Sequence, residues 1–528
     1  MPTLWYGGPI YTMSRDGETV EAVVTENGMI AATGSVSVLE GRFKGRIDNR
    51  IDLKGCTMVP GLVDSHIHLI GHGERLIRLD LSACTTRKEV LDAVRNYALN
   101  TGKDEWIIGE GWNENLWEDS MPLHKSELDE IAPDRPVLLK RICRHASVAN
   151  STALKMAGVE ENTGHPSGGW IDKDAEGIVT GVLKDSAQEL VYSILPEASE
   201  AYLQKAIKAS IRDLYSLGIT GVHTEDLNYY GAFAKTYNVF KRAIEEDGLK
   251  FRAHLLVHHG VLDDFVAGGH SYLSGSEWIE FGAMKIFSDG ALGGRTALLS
   301  EPYNDSPETA GVAIFSREEL SRLVGEARKH SMPVAIHAIG DLAFEYCLDA
   351  LEENPHGGQG RDRLIHAQIL RKDLIERASN LPIVLDLQPV FMLSDFPWVI
   401  DRIGNTRMKY AYAWKTLIDK GIPCTGGSDA PIEIPNPFLG IDAAVNRTVQ
   451  GIVYNPEEAL TVFQAVSLYT KGGAYASGHK NDRGEIREGA IADFTILDRD
   501  IFSIPRETIG KTEAVMTVIG EEIVFIRK

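Results

Sequence analysis

At 528 residues the chain has room for one large barrel of about 250–400 residues and for further domains. Hydrophobic residues make up 43% of it and charged residues 24%, which suits a globular protein with a sizeable core. The formal net charge of −21, without any lysine- or arginine-rich block, argues against a nucleic-acid partner, since binding phosphates needs a basic surface.

The five cysteines, Cys56, Cys84, Cys143, Cys347 and Cys424, are scattered and form no C-x-x-C pair. That spacing argues against a disulfide framework and a cysteine zinc site. Residues 1–6 carry neither a basic nor an apolar leader region, and no apolar run of about 18 residues spans a bilayer. The expectation is a protein with no membrane partner, with a reducing cytoplasm as the default compartment.

In chain order, residues 1–58 read as short strands (4–6, 22–25 and 29–33) separated by turn signals such as Asn27-Gly28. The last fifty residues read alike, with strands at 492–497, 515–519 and 522–526. Strands at both ends suggest one small β-sandwich domain built from 1–58 and 475–528. Between them, short apolar runs alternate with helical stretches, the pattern of βα repeats. Eight candidate strands fall at 58–68, 220–224, 252–258, 281–287, 334–337, 364–366, 383–388 and 423–427, with helices including 201–217, 317–330 and 372–379. Eight units favour a closed (β/α)8 TIM-like barrel over 59–474. No G-x-G-x-x-G follows an early strand, which speaks against a dinucleotide site.

The gap of about 150 residues between the first two strands is far longer than a barrel loop needs. Residues 75–200 therefore read as an inserted subdomain, with apolar runs at 106–112 and 137–139 and a hairpin over 168–183. Loops after barrel strands lie at the catalytic face, so an insertion here is placed to cover a site.

The sharpest chemical signal is Val59-Pro60-Gly61-Leu62-Val63-Asp64-Ser65-His66-Ile67-His68. Residues two apart on a strand share a side, so His66 and His68 can converge on one ion. His337 follows 333–336, His366 follows 363–365, and Asp429 follows 425–428. One strand-end histidine is usually a hydrogen-bonded structural residue. Four of them and an aspartate at the carboxyl ends of barrel strands would instead meet at one mouth.

These pieces resemble the amidohydrolase superfamily, and more closely its amidohydrolase-3 branch of YtcJ-like proteins and N-substituted formamide deformylase. The matching motifs include PGLVDSHIHL (60–69), GEGWNENLW (109–117), RHASVANSTALKMAGV (144–159) and GGWIDKDAEGIVTGVL (168–183). MKIFSDGALGGRTA (284–297), VAIHAIGD (334–341), LIHAQI (364–369), LQP (387–389), GGSDAP (426–431) and RGEIREGAIADFTILDRD (483–500) follow. The resemblance implies a metal-dependent hydrolase of C–N bonds in a small-molecule substrate, an N-substituted formamide or N-acyl amine. It implies a metal-activated hydroxide, with Asp429 as both ligand and proton shuttle.

By the same resemblance, His66 and His68 bind the more buried of one or two divalent ions, expected to be zinc, and His337 and His366 serve the other position. Lys285, in K-x-F-x-D-G, would be carboxylated and bridge two ions. Its alternative is an ion pair with Asp289. Trp112, Trp117, His145, Arg295 and Gln388 are candidate substrate contacts. Packing inside the insertion is the alternative for the tryptophans, a cap for His145 and a surface ion pair for Arg295. His72, His223, His254, His258 and His259 read as structural, with His223 placed where it could reach the mouth. A cyclic-amide hydrolase or deaminase, a phosphotriesterase-like activity, and an idle metal-binding scaffold remain alternatives, and a homodimer is among the assemblies left open.

Overall fold

Eight buried segments pair side by side and in parallel: β1 (Leu62–Ile67), β2 (Ile219–Thr224), β3 (Arg252–His258), β4 (Ile279–Phe287), β5 (Val334–Ala338), β6 (Asp362–His366), β7 (Ile383–Leu387) and β8 (Cys424–Gly426). They belong to a computed structural model that describes residues 2–102, 105–118, 121–141, 146–166 and 168–528. Sequence order is spatial order from β1 to β8. At the seam between the first and last strands, the Asp429 N–H donates to the His66 carbonyl at 2.7 Å and the His68 N–H to the Ala430 carbonyl at 2.8 Å. The result is a TIM-like barrel. Its strands are nearly continuous apolar runs because both faces are covered; every residue of β3, for instance, is buried.

The helices follow from ordinary signals. Arg317–Lys329 starts at a capping box in which the Ser316 side chain accepts from the Glu319 N–H. Acidic Glu318 and Glu319 occupy its first turn and basic Arg328 and Lys329 its last, matching the helix dipole. Leu320, Leu323, Val324 and Ala327 form its buried stripe. No helix among the described residues is long and apolar enough to cross a membrane.

One expected strand is two. Residues 58–68 divide at Gly61, because Thr57–Pro60 pairs antiparallel with Phe494–Leu497 whereas β1 pairs in parallel with β2. A Cβ at Gly61 would lie 2.4 Å from Thr220 Oγ1, so the chain passes from one sheet to the other where only glycine fits. Thr57–Pro60 thus joins an eight-stranded sheet with Thr3–Tyr11, Thr19–Glu26, Met29–Gly34, Asn49–Asp52, Phe494–Leu497, Ala514–Ile519 and Glu522–Ile526.

The chain divides into two compact units, residues 1–72 with 203–528, and residues 73–202. The second has its own six-stranded sheet, which includes the hairpin Gly169–Lys173 and Val179–Asp185. Its turn is closed by the Asp174 N–H on the Ile178 carbonyl at 2.9 Å, with Gly177 at φ +83.

Within the barrel, Arg363 on β6 is 1% exposed and forms a bidentate pair with Asp386 on β7. The same guanidinium donates to the Ser65 carbonyl of β1 at 2.7 Å. This buried pair ties three strands together across the barrel interior.

Candidate metal centre

The carboxyl end of β1 carries Asp64, His66 and then His68 in alternation. Asp64 is buried, and its Oδ1 accepts from the His66 N–H at 3.1 Å and the Ser428 N–H at 3.0 Å. It therefore locks the segment bearing His66 to the segment bearing Asp429. Burial is the main cause that pushes the Asp64 carboxyl up to about 7.

His66, His366 and Asp429 are all buried, and each offers a ligand atom within 4.8 Å of the others. Asp429 Oδ1 stands 3.4 Å from His66 Nε2 and 3.4 Å from His68 Nε2. The His337 ring packs on His366 with centroids 4.4 Å apart, and its Nε2–H donates to the Gly290 carbonyl at 3.0 Å. His366 thus stands between the pair His66 and Asp429 on one side and the His337 ring on the other. His366 and Asp429 sit at φ +80 and +58, conformations uncommon for residues other than glycine. Such backbone is retained where surrounding structure holds it, and functional sites are the usual place.

Electrostatics keeps these groups ready to act as ligands. Burial, reinforced by Lys285 and neighbouring rings, drives His66 well below its ordinary value, and burial with His337 does the same for His366. Both are neutral imidazoles at physiological pH. Asp429 is held below the usual carboxylate range: burial raises it, but the His68 hydrogen bond and nearby cationic groups outweigh burial. It is a carboxylate at neutral pH.

Lys285 on β4 is completely buried, and its Nζ has no hydrogen-bond partner. It lies 4.0 Å from the Phe287 ring centroid. The alternative of an ion pair with Asp289 does not describe it. The Asp289 oxygens accept from the N–H groups of Leu298, Ile339 and Gly340 at 2.9, 3.1 and 2.8 Å. Burial lowers the Lys285 pKa, against upward pulls from Glu225 and Asp429.

The donor set fits a divalent cation. Both ring nitrogens of His366, Nδ1 of His66 and Nζ of Lys285 are buried without partners. Each orphaned group costs about 1–3 kcal/mol, a burden that a bound cation would relieve for the imidazoles. Imidazole nitrogens and a carboxylate are donors that zinc accepts.

Of the remaining described candidates, Gln388 alone borders His366, and the others go elsewhere. Trp112 is 1% exposed in the core of unit 73–202, with its indole N–H on the Leu139 carbonyl at 3.2 Å and its ring stacked near Trp117. Packing accounts for that position. Arg295 forms a partly exposed ion pair with Asp305 at 2.9 Å. Gln388, buried at the end of β7, donates to the Asp386 carbonyl at 3.0 Å. His145 lies outside the described residues. His223 faces His254 at 4.9 Å between ring centroids and lines a cavity with Glu280 and Arg483 at the amino ends of the strands, so it does not reach the mouth. His72 pairs with Asp213 at 2.8 Å and His254 with Glu280 at 3.0 Å. Glu225 and Tyr229, which follow β2 and border His68, were not singled out from the sequence. The acidic pair Glu225-Asp226 directly after a strand end was the available signal.

A barrel that gathers buried imidazoles and a carboxylate at its strand ends defines the metal-dependent hydrolase class. The model of the Amidohydrolase family matches residues 50–525, and the chain belongs to that family. It is 50% identical to YtcJ of Bacillus subtilis (strain 168), named as an amidohydrolase, over 99% of each chain. It is 28% identical to the N-substituted formamide deformylase of Arthrobacter pascens over 93% of this chain and 92% of that one. Among solved structures, an uncharacterized metal-dependent hydrolase from Pyrococcus furiosus aligns with TM-score 0.82 and 30% identity, over 95% of this chain and all of the other. As a family member the protein is a hydrolase of carbon–nitrogen bonds other than peptide bonds, one for which a divalent metal is indicated.

Proposed function

We propose that the protein hydrolyses a small amide, an N-substituted formamide or N-acyl amine, to an acid and an amine. The observation that carries this reading is the convergence of His66, His366 and Asp429, buried and within 4.8 Å, at the mouth of the barrel. The likeness to a formamide deformylase over nearly the whole chain supports the choice of substrate class.

In this reading His66, His68, His337, His366 and Asp429 hold one or two divalent ions, with zinc the ion their donor atoms favour. A bound ion would supply polarisation of the substrate carbonyl and acidification of water. Asp429, ionised at neutral pH, accepts the proton of the attacking water at its carboxylate and delivers it to the departing nitrogen. Asp64 keeps the His66 and Asp429 segments in register through its two backbone hydrogen bonds. Gln388, beside the β6 and β7 ends, is kept as a candidate contact for the substrate.

Carboxylated, Lys285 would supply further oxygen ligands to those ions. An uncharged amine adds to carbon dioxide, forming one N–C bond and releasing one proton, to give two carboxylate oxygens. Complete burial without a partner lowers the Lys285 pKa and so favours that uncharged amine.

The test is a metal analysis of purified protein together with a screen of N-formyl and N-acyl amines. Acid plus amine is expected. A ring-opened acid would move the substrate to a cyclic amide, and ammonia to a deaminated base.

A further inference from the structure

The segment after β2 is pinned to the segment that carries the paired histidines by five hydrogen bonds. The Glu225 N–H donates to the Ile67 carbonyl at 3.1 Å, and His68 Nδ1–H to the Glu225 carbonyl at 2.7 Å. The Leu69 N–H reaches Thr224 Oγ1 at 2.9 Å and Asp226 Oδ2 at 3.0 Å, and the Ile70 N–H reaches Asp226 Oδ1 at 3.2 Å. A carbonyl oxygen only accepts, so the proton of His68 sits on Nδ1, and Nε2 is the nitrogen turned toward Asp429.

The Glu225 side chain lies on the same Nδ1 side. Its Oε2 is 3.7 Å from His68 Nδ1, and the carboxylate is completely buried. Oε2 accepts from the Tyr229 hydroxyl at 2.5 Å, while Oε1 has no hydrogen-bond partner. Burying a carboxylate with so little compensation costs several kcal/mol, and its field acts on the imidazole edge it faces. Tyr229 runs from this buried contact outward: the residue is 46% exposed and its ring sits 5.8 Å from the His68 ring, centroid to centroid.

We propose that Glu225 and Tyr229 are positioning residues that act through His68. The Glu225 carboxylate strengthens Nε2 of His68 as a donor to a cation, and the Tyr229 hydroxyl holds that carboxylate in place. This rests on the reading of His68 as a metal ligand. A histidine ligand whose far nitrogen meets a carboxylate or carbonyl is both fixed in orientation and made more basic, and losing the partner typically weakens metal binding about 10–100-fold. Here the carbonyl comes from the backbone, so a side-chain substitution removes the carboxylate's field and leaves the orientation.

The test measures zinc affinity by chelator competition in the full-length protein. His68→Asn, Glu225→Ala, Glu225→Asp, Tyr229→Phe and the double variant Glu225→Ala/Tyr229→Phe are compared with the unaltered chain, and thermal melts confirm folding. Glu225→Ala is expected to weaken zinc binding by up to about tenfold, the low end of the range for a lost partner because the backbone carbonyl stays, and Glu225→Asp to restore part of that loss. Tyr229→Phe should weaken it by less, and the double variant should be no weaker than Glu225→Ala alone. In cobalt-loaded protein, Glu225→Ala should shift the visible absorption bands, which a change in stability alone would not do. If His68→Asn leaves zinc affinity unchanged, the ligand reading fails and the pair fails with it. If His68→Asn weakens binding but folded Glu225→Ala does not, the pair alone is overturned. Additive losses in the double variant would overturn the action of Tyr229 through Glu225.

Discussion

The N–H of Asp429 donates to the carbonyl of His66 across 2.7 Å, so the bond that seals the last barrel strand to the first also joins the two segments that carry the site. The hydrogen bond that closes the barrel thus also sets Asp429 beside His66. Asp429 reaches its place at φ +58, and its carboxylate then faces both histidines at 3.4 Å.

Asp429→Asn keeps the shape of the side chain and removes its capacity to carry a proton. The expected outcome is a folded protein that retains much of its metal and loses turnover by about 10²–10⁴-fold. Steady-state kinetics with parallel metal analysis checks this. Substantial residual turnover would remove Asp429 from the proton path.

Metal affinity should depend on pH through His68. Burial lowers this histidine, but Asp429 and Glu225 outweigh burial and raise it to about 9. Metal-free protein therefore carries a proton there that binding must release. Affinity should rise by about tenfold per pH unit as pH increases toward 9. The sign for stability is opposite. A raised histidine stabilises the metal-free fold fully below its ordinary value of 6.5, and that contribution is lost as pH climbs to about 9. Chelator competition and urea unfolding across this window measure the two effects.

Glu280 holds a network at the amino ends of the strands, accepting from His254 at 3.0 Å and His479 at 2.8 Å. Removing a buried partner of such a network costs about 3–5 kcal/mol, which sets the expected loss for Glu280→Ala in urea unfolding. Burial raises Glu280, yet its two histidines outweigh burial and hold it well below the carboxylate range, so its stabilisation is present above 4.5 and lost as pH falls. His479 is raised: burial lowers it, but Asp482 and Glu280 prevail, and its stabilisation is lost as pH rises above 6.5. Glu280 and His479 together should stabilise most between pH 4.5 and 6.5, while His254, lowered by burial, draws stability down as pH falls below 6.5.

At the joint between the two sheets, Gly61→Ala should cost about 1–3 kcal/mol by overpacking. The added carbon would meet Thr220 Oγ1 at 2.4 Å and Cγ2 at 2.7 Å. Adding Thr220→Gly should recover part of the loss, and a double-mutant cycle of thermal melts reads the coupling.

Much of this was legible in the sequence. The segment 252–258 is β3 as read, a fully buried strand whose apolar residues lie between Lys250 and Gly260. The convergence of His66, His366 and Asp429 was foreshadowed because chemistry-bearing residues stood at the ends of such runs. The split at Gly61 was hidden, because Met58-Val59-Pro60 and Leu62-Val63 are equally apolar and only pairing partners distinguish their sheets. His223 misled because strand alternation from a single end residue does not say whether a ring points up toward the mouth or down to Glu280. Glu225 was hidden because its importance comes from contact with His68, 157 residues away in the chain.

The central claim is that His66, His366 and Asp429 share a cation, and anomalous diffraction at the zinc edge from a zinc-loaded crystal tests it directly. The account predicts an anomalous peak about 2.0–2.2 Å from a ring nitrogen of His66, a ring nitrogen of His366 and an Asp429 oxygen. A fully loaded crystal with no peak among these three residues would contradict it.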